Sequence, residues 1–252
     1  MKLCRFNRNG VLLAGRLEGE MIRVCKGTLP GRMEPTGETV ALGEVKLLAP
    51  TVPTKIIGIG RNYLEHAREM GSAARDAEPL IFLKPPSAII SPGEAIVLPK
   101  SSQRIDHEGE LGVVIGQTAH HIPEAGDPLS YVLGYTCVND VTARDLQKRD
   151  VQFTRGKGFD TFCPFGPWIE TELSPKALSI ETRVNGQVRQ RGNTSDMIFP
   201  VATLIRFLAS IMTLYPGDLI ATGTPAGVGP LSSGDVVEVE VERIGILRNP
   251  VA

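Results

Sequence analysis

"TKIIGIGRNYLEHAREMG", residues 54–71, runs from an apolar segment through two glycines into a stretch patterned like a helix. Its reading decides the fold. If it is a dinucleotide-binding turn, the chain is a doubly wound α/β protein. That fingerprint needs a third small residue where the helix packs against its strand. Counted from Gly58 and Gly60, the place falls on Tyr63, and no acidic residue ends a second strand at the expected distance. A nicotinamide cofactor is therefore set aside. The turn still carries Arg61, Asn62, His66 and Glu69. On a helix, His66 and Glu69 share a face, and a carboxylate bonded to an imidazole orients the ring for general-base work. The plain alternative is an exposed helix that holds the pair by chance.

Outward from this stretch the pattern is mostly strand. Residues 1 to about 50 form short strand-like runs split by glycines, and Pro50 and Pro53 follow where a linker would sit. Further strands are expected in "KIIGIG", "LIFLKP", "AIVLP", "ELGVVIG" and "YVLGYTCV", and again in "GDLIATGT" and "DVVEVEVERIGIL". Helices are expected over 63–70, ended by Gly71, over 142–148, and in "FPVATLIRFLASIMTL". In the last, Phe199, Leu204, Phe207, Leu208 and Ile211 read as the buried face. With 27 glycines and 19 prolines, many short strands joined by turns are expected, which makes the class α+β and β-rich. The division is a small β-rich N-terminal domain, 1–52, and a larger domain, 53–252.

Bulk properties narrow the function. The 252 residues can bury a sizeable core. A net charge of −1 with scattered Lys and Arg argues against nucleic acid or an anionic membrane as partner. No apolar run is long enough to span a bilayer, and "MKLCRFNRNG" lacks a secretory signal, so a cytoplasmic protein is expected. Cys4, Cys25, Cys137 and Cys163 show no metal-ligand spacing and read as buried thiols.

The strongest chemistry lies in "IDHEGELGVVIG", residues 105–116. If a strand begins here, Glu108 and Glu110 project from one face with α-carbons roughly 6–7 Å apart. Carboxylates that close to an apolar strand repel unless a cation sits between them or one takes up a proton. Asp140, at the end of "YVLGYTCVND", is a third candidate. Three oxygen ligands with no nearby cysteine suit Mg²⁺ or Mn²⁺, with Ca²⁺ the lesser alternative. The competing reading makes the glutamates the solvated face of an edge strand, since E-x-E is common. His107, alternating as a strand residue, would point away and be structural.

Taken together, "GRNYLEHAREMG", "FLKPPSAI", "IDHEGELGVVIG", "GYTCVNDVTARDLQ", "KGFDTFCPFGPW", "VNGQVRQRGNTSDMIF" and "PGDLIATGTPAGVG" resemble, in order, the catalytic domain of the fumarylacetoacetate hydrolase family. The resemblance covers about residues 55–252 and is weak over 1–50. It implies a mixed β-sandwich or roll with short helices, and a metal held by Glu108, Glu110 and Asp140. It implies that the opening helix is a lid bringing His66 and Glu69 over the metal. It places Lys157 beside a developing oxyanion, with Arg61, Gln147 and Thr224 on the substrate's carboxylate or oxo groups and Arg144 as a further candidate. Gly156 and Gly158, which flank Lys157, are a departure expected to loosen its positioning. A homodimer acting on small oxo acids is also implied.

Within that resemblance three reactions stay open. They are C–C hydrolysis of acylpyruvate- or fumarylacetoacetate-type substrates, oxaloacetate decarboxylation, and isomerisation or decarboxylation of hydroxyheptadienedioate-like acids in aromatic catabolism. A rival from another class is a non-catalytic sensor binding a metal or small acid; it would need neither a base nor an oxyanion donor. "TGTPAGVG" lacks the lysine and helix of a phosphate loop and reads as a turn beside the site, and Trp168 reads as core or dimer packing.

Overall fold

A computed structural model describes residues 1–71 and 78–252. Strand makes up 44% and helix 16%, so the chain is α+β and β-rich as expected. The centre of the main sheet is the strand Gly109–Ile115, paired antiparallel with Val132–Asn139 and with Leu219–Ala221. Beyond Leu219–Ala221 come Ile56–Gly60, parallel, and then Leu80–Lys84. On the other side Val132–Asn139 meets Cys163–Glu170, which pairs with Lys2–Arg8. The N-terminal meander Lys2–Arg8, Val11–Glu18, Met21–Lys26 and Glu34–Ala41 thus continues the same sheet. A second sheet holds Gln187–Asn193, Ser179–Val184, Val236–Val241 and Gly245–Pro250.

The central strand is apolar on both faces because both are covered. Leu111, Val113 and Ile115 pack with Ile180, Val239 and Leu247 of the second sheet; Val114 packs on the opposite side with Val138, Phe165 and Leu219. Burial on both sides is why "LGVVIG" shows no alternation. A smaller core, with Cys4, Phe6, Ile22, Val24 and Val40, holds the N-terminal meander. Trp168 packs against both it and the main core and donates to the Ile244 carbonyl at 2.7 Å. All four cysteines are buried and unpaired.

Four α-helices are described: α1 (Leu64–Glu69), α2 (Arg144–Arg149), α3 (Thr154–Lys157) and α4 (Val201–Ile211). Helix α1 has Tyr63 and Met70 as caps, and Gly71 follows at φ +80°, a conformation glycine adopts without penalty. Helix α4 buries Val201, Leu204, Ile205, Leu208 and Ala209. At 100° per residue these form one stripe, while Phe207 and Ile211 fall on its flank. Ile211 is accordingly 51% exposed, which corrects the expected face. Two other expectations shift. Residues 95–99 form only an isolated bridge, Ile96 to Val251, between the turn at Pro92–Gly93 and Pro99. Thr142 and Ala143 belong to a short strand, so α2 starts two residues late. Among the described residues no helix is long and apolar enough to cross a membrane.

Candidate metal and active site

Glu108 does not sit within a continuous strand. It lies at the break between Ile105–His107 and Gly109–Ile115, which join different sheets. Beside the break, Gly109 lets the second sheet approach closely: a Cβ there would stand 2.0 Å from the Thr182 hydroxyl. The break still brings the glutamates together with Asp140, whose N–H donates to the Glu108 carbonyl at 2.8 Å. One oxygen from each of Glu108, Glu110 and Asp140 lies within 4.8 Å of the other two, and all three residues are buried. The set is all oxygen, so it fits a hard divalent ion and offers nothing that favours a soft one.

Three buried cations surround these carboxylates. The Lys157 ammonium donates to Glu108 Oε2 at 2.6 Å and to Asp140 Oδ2 at 2.5 Å. Lys84 donates to Asp140 Oδ1 at 2.6 Å and to the Val141 carbonyl at 3.2 Å. Arg144 bonds Glu108 Oε1 through Nη2 and Asp106 Oδ2 through Nε at 2.9 Å. Four buried carboxylates, counting Asp106, therefore face these three buried cations and Arg104, which is half exposed and donates to Asp106 Oδ1 at 2.9 Å. These charges balance, so a dication would leave the floor positive and matched to an anionic ligand group.

The glutamates differ electrostatically. Burial raises Glu108, but Lys157 and Arg144 outweigh it and hold its carboxyl well below the usual range. For Glu110, burial and the neighbouring Asp140 and Glu108 all push upward, against weaker help from Lys157 and the Gly223 N–H, so it stands well above the usual range. Burial pulls the Lys157 ammonium down, while Asp140 and Glu108 carry it above the ordinary lysine value.

A cavity of about 240 Å³ opens over this floor. Glu108, Glu110, Lys157, His66, Arg61, Gln147 and Thr224 line it, so it gathers every expected site residue except Asp140, which lies behind Lys157, and Glu69. Buried His66 turns Nδ1 to Glu69 Oε2 at 3.0 Å. The carboxylate accepts, so the neutral ring carries its proton on Nδ1 and keeps Nε2 as the base. Glu69 also accepts from the Gly227 N–H at 3.2–3.3 Å, tying α1 to the loop over 222–229. Arg61 adopts φ +57°, a left-handed backbone for a non-glycine residue at the cavity wall. Asn62 instead clamps the turn, with Nδ2 to the Phe199 and Thr222 carbonyls and Oδ1 to the Phe199 N–H.

Two expectations change in detail. The Thr224 hydroxyl donates to the Gly109 carbonyl at 2.8 Å and accepts from Gln190 at 2.7 Å, so toward a ligand it offers a lone pair. The glycines around Lys157 tighten it. A Cβ on Gly156 would press on the Gln147 backbone at 3.0 Å, and one on Gly158 on the Thr154 carbonyl at 2.5 Å. Gln147 Oε1 accepts from Arg144 at 2.6 Å, which turns its amide N–H groups to the cavity. His107 is structural as expected: Nδ1 donates to Gln190 Oε1 at 3.1 Å.

Sequence reading gives Lys84, Asp106 and Gln190 no role, although Asp106 stands beside the glutamates as a further polar residue. All three stand in quoted segments, but only their tertiary partners give them roles. Gln190 holds His107, Gly109, Thr224 and the Pro225 carbonyl at once.

Comparison with known proteins identifies the family. The family model described as "Fumarylacetoacetate (FAA) hydrolase C-terminal" matches residues 55–252. The chain belongs to the fumarylacetoacetate hydrolase family. A second model, "Rv2993c-like, N-terminal", matches residues 1–50. The family member is 47% identical over 225 residues to the oxaloacetate tautomerase YisK of Bacillus subtilis, covering 84% of this chain and 74% of that one. A solved 5-carboxymethyl-2-hydroxymuconate delta-isomerase from Mycobacterium smegmatis superposes with a TM-score of 0.93 at 43% identity, covering 100% and 99% of the two chains. The maleylpyruvate hydrolase of Sphingobium sp. SYK-6, solved with manganese(II) and pyruvate, gives 0.82 at 30% identity, covering 100% and 99%. This fumarylacetoacetate hydrolase family chain is an enzyme, which removes the sensor reading. Tautomerisation, carried in one relative's name, is a reaction the sequence reading did not include.

Proposed function

We propose that the protein binds Mg²⁺ or Mn²⁺ at Glu108, Glu110 and Asp140 and enolises a small 2-oxo acid. The observation that carries this reading is His66, oriented by Glu69, in the same cavity as the acidic triad and Lys157. When bound, the ion supplies Lewis acidity beside the substrate carbonyl. His66 Nε2 takes a proton from the carbon next to that carbonyl. The C–H electron pair forms the carbon–carbon double bond, and the oxygen becomes negative. The Lys157 ammonium stabilises that charge. Gln147 and Arg61 hold the carboxylate end through N–H donors. Returning the proton elsewhere gives the tautomer or isomer; from the keto form, loss of CO₂ from the carbon next to the carbonyl, or attack by water on a second carbonyl followed by C–C cleavage, leaves its electron pair as an enolate held at the same oxygen.

Support comes from relatives named for tautomerase, isomerase and hydrolase reactions. A homodimer belongs to the same reading and rests on the family resemblance; sedimentation checks it. The deciding experiment strips metal with EDTA, restores Mg²⁺ or Mn²⁺, and follows the ultraviolet absorbance of oxaloacetate enol, an acylpyruvate and a hydroxydienedioate. Metal-restored conversion of at least one is expected. Turnover of all three that is indifferent to EDTA and metal would sink the reading.

A further inference from the structure

We infer that Lys148 selects substrates bearing a second carboxylate at the end remote from the 2-oxo acid. The inference deepens the proposed function and rests on it. Helix α2 sets Arg144, Gln147 and Lys148 at i, i+3 and i+4, and all three line the cavity. Arg144 is bonded both to Gln147 and to Glu108 on the floor. Lys148 stands four residues past Arg144, about 6 Å along the helix axis, at the exposed end of this row.

Charge separates the two levels. At the floor the four buried carboxylates are matched by Lys84, Lys157, Arg144 and Arg104, and a bound dication together with Arg61 on the wall faces the 2-oxo acid end of the ligand. A second carboxylate at the far end of the ligand lies beyond these groups. Lys148 is exposed, and among the described residues its side chain makes no ion pair or hydrogen bond. Its neighbours differ: Arg149 lies 3.9 Å from Asp150, and Arg155 pairs with the same carboxylate. The wall includes Ile59, Met70, Phe82 and Phe153, the two rings meeting edge to face at 5.7 Å. Those side chains suit the hydrocarbon middle of a ligand and give a remote carboxylate no donor. The ligand class is thus a 2-oxo dicarboxylate, with one end at the floor and the other at Lys148.

The test measures calorimetric binding of 2-oxoglutarate and 2-oxopentanoate, similar in length but differing in the remote carboxylate, to Mn²⁺-loaded protein. Wild type is expected to favour 2-oxoglutarate. Lys148→Ala should weaken 2-oxoglutarate about fivefold, the scale of one partly exposed ion pair. Lys148→Glu should weaken it further, Lys148→Arg should restore it, and the loss should shrink at high salt. In turnover of oxaloacetate the change should fall on KM with kcat held. Equal effects on both ligands, or no effect on either, overturn the role of Lys148. Failure of wild type to bind either ligand overturns the oxo-acid reading and this inference with it, and that outcome is distinct because it precedes any variant.

Discussion

Lys84 and Lys157 grip opposite oxygens of one carboxylate: Lys84 bonds Asp140 Oδ1 at 2.6 Å, and Lys157 bonds Oδ2 at 2.5 Å. Only Lys157 lines the cavity. The two lysines should therefore fail differently. Lys84→Met leaves a buried carboxylate short of a partner and is expected to cost about 3–5 kcal/mol in urea unfolding. Lys157→Met is expected to lower kcat about 10²–10³-fold, the scale of losing one oxyanion donor, while Mn²⁺ still binds. Normal kcat in Lys157→Met would remove it from the chemistry.

The two glutamates should also separate. Glu108 is held ionised by Lys157 and Arg144, whereas burial and its neighbours favour the neutral form of Glu110. In metal-free protein, Glu110→Gln is expected to leave Tm nearly unchanged, and Glu108→Gln to lower it by several degrees. Both should abolish tight Mn²⁺ binding in calorimetry. Wild-type Mn²⁺ affinity in either variant contradicts the ligand assignment.

The His66–Glu69 contact at 3.0 Å orders the next pair of variants. His66→Ala is expected to slow oxaloacetate enol–keto exchange by roughly 10²–10⁴, the range for a general base. Glu69→Gln should cost less, because the ring remains and loses only its orienting partner. Mn²⁺ affinity should hold in both. Near-normal exchange in His66→Ala would assign the proton transfer elsewhere.

Gly158 supplies a steric check. A Cβ there meets a backbone oxygen at 2.5 Å, which cannot swing aside as a side chain would. Gly158→Ala is expected to cost about 1–3 kcal/mol and to reduce kcat through displaced Lys157. Unaltered stability and rate would mean that α3 relaxes without moving the lysine.

Much was legible in the chain itself. Alternation in 236–241, the unbroken apolar run after Glu110, and the Pro and Gly punctuation suffice for a β-rich α+β class, because burial repeats along a strand. The i,i+3 spacing of His66 and Glu69 places them on one face wherever the helix lies. Nearness of Glu108 to Glu110 follows from chain connectivity alone.

What local pattern cannot state is which distant charge answers which. Asp140 is matched by Lys84, 56 positions away, and Glu108 by Arg144 and Lys157, 36 and 49 positions away. Gln190 meets His107 across 83 positions. The strand break at Glu108 is likewise invisible locally, since the segments on its two sides pair with strands of different sheets. Sequence by itself determined most secondary elements and the acidic chemistry, because both are encoded by neighbours along the chain. Tertiary structure alone decided how those acids are neutralised, because a buried charge is stabilised by whatever the fold brings within hydrogen-bond distance.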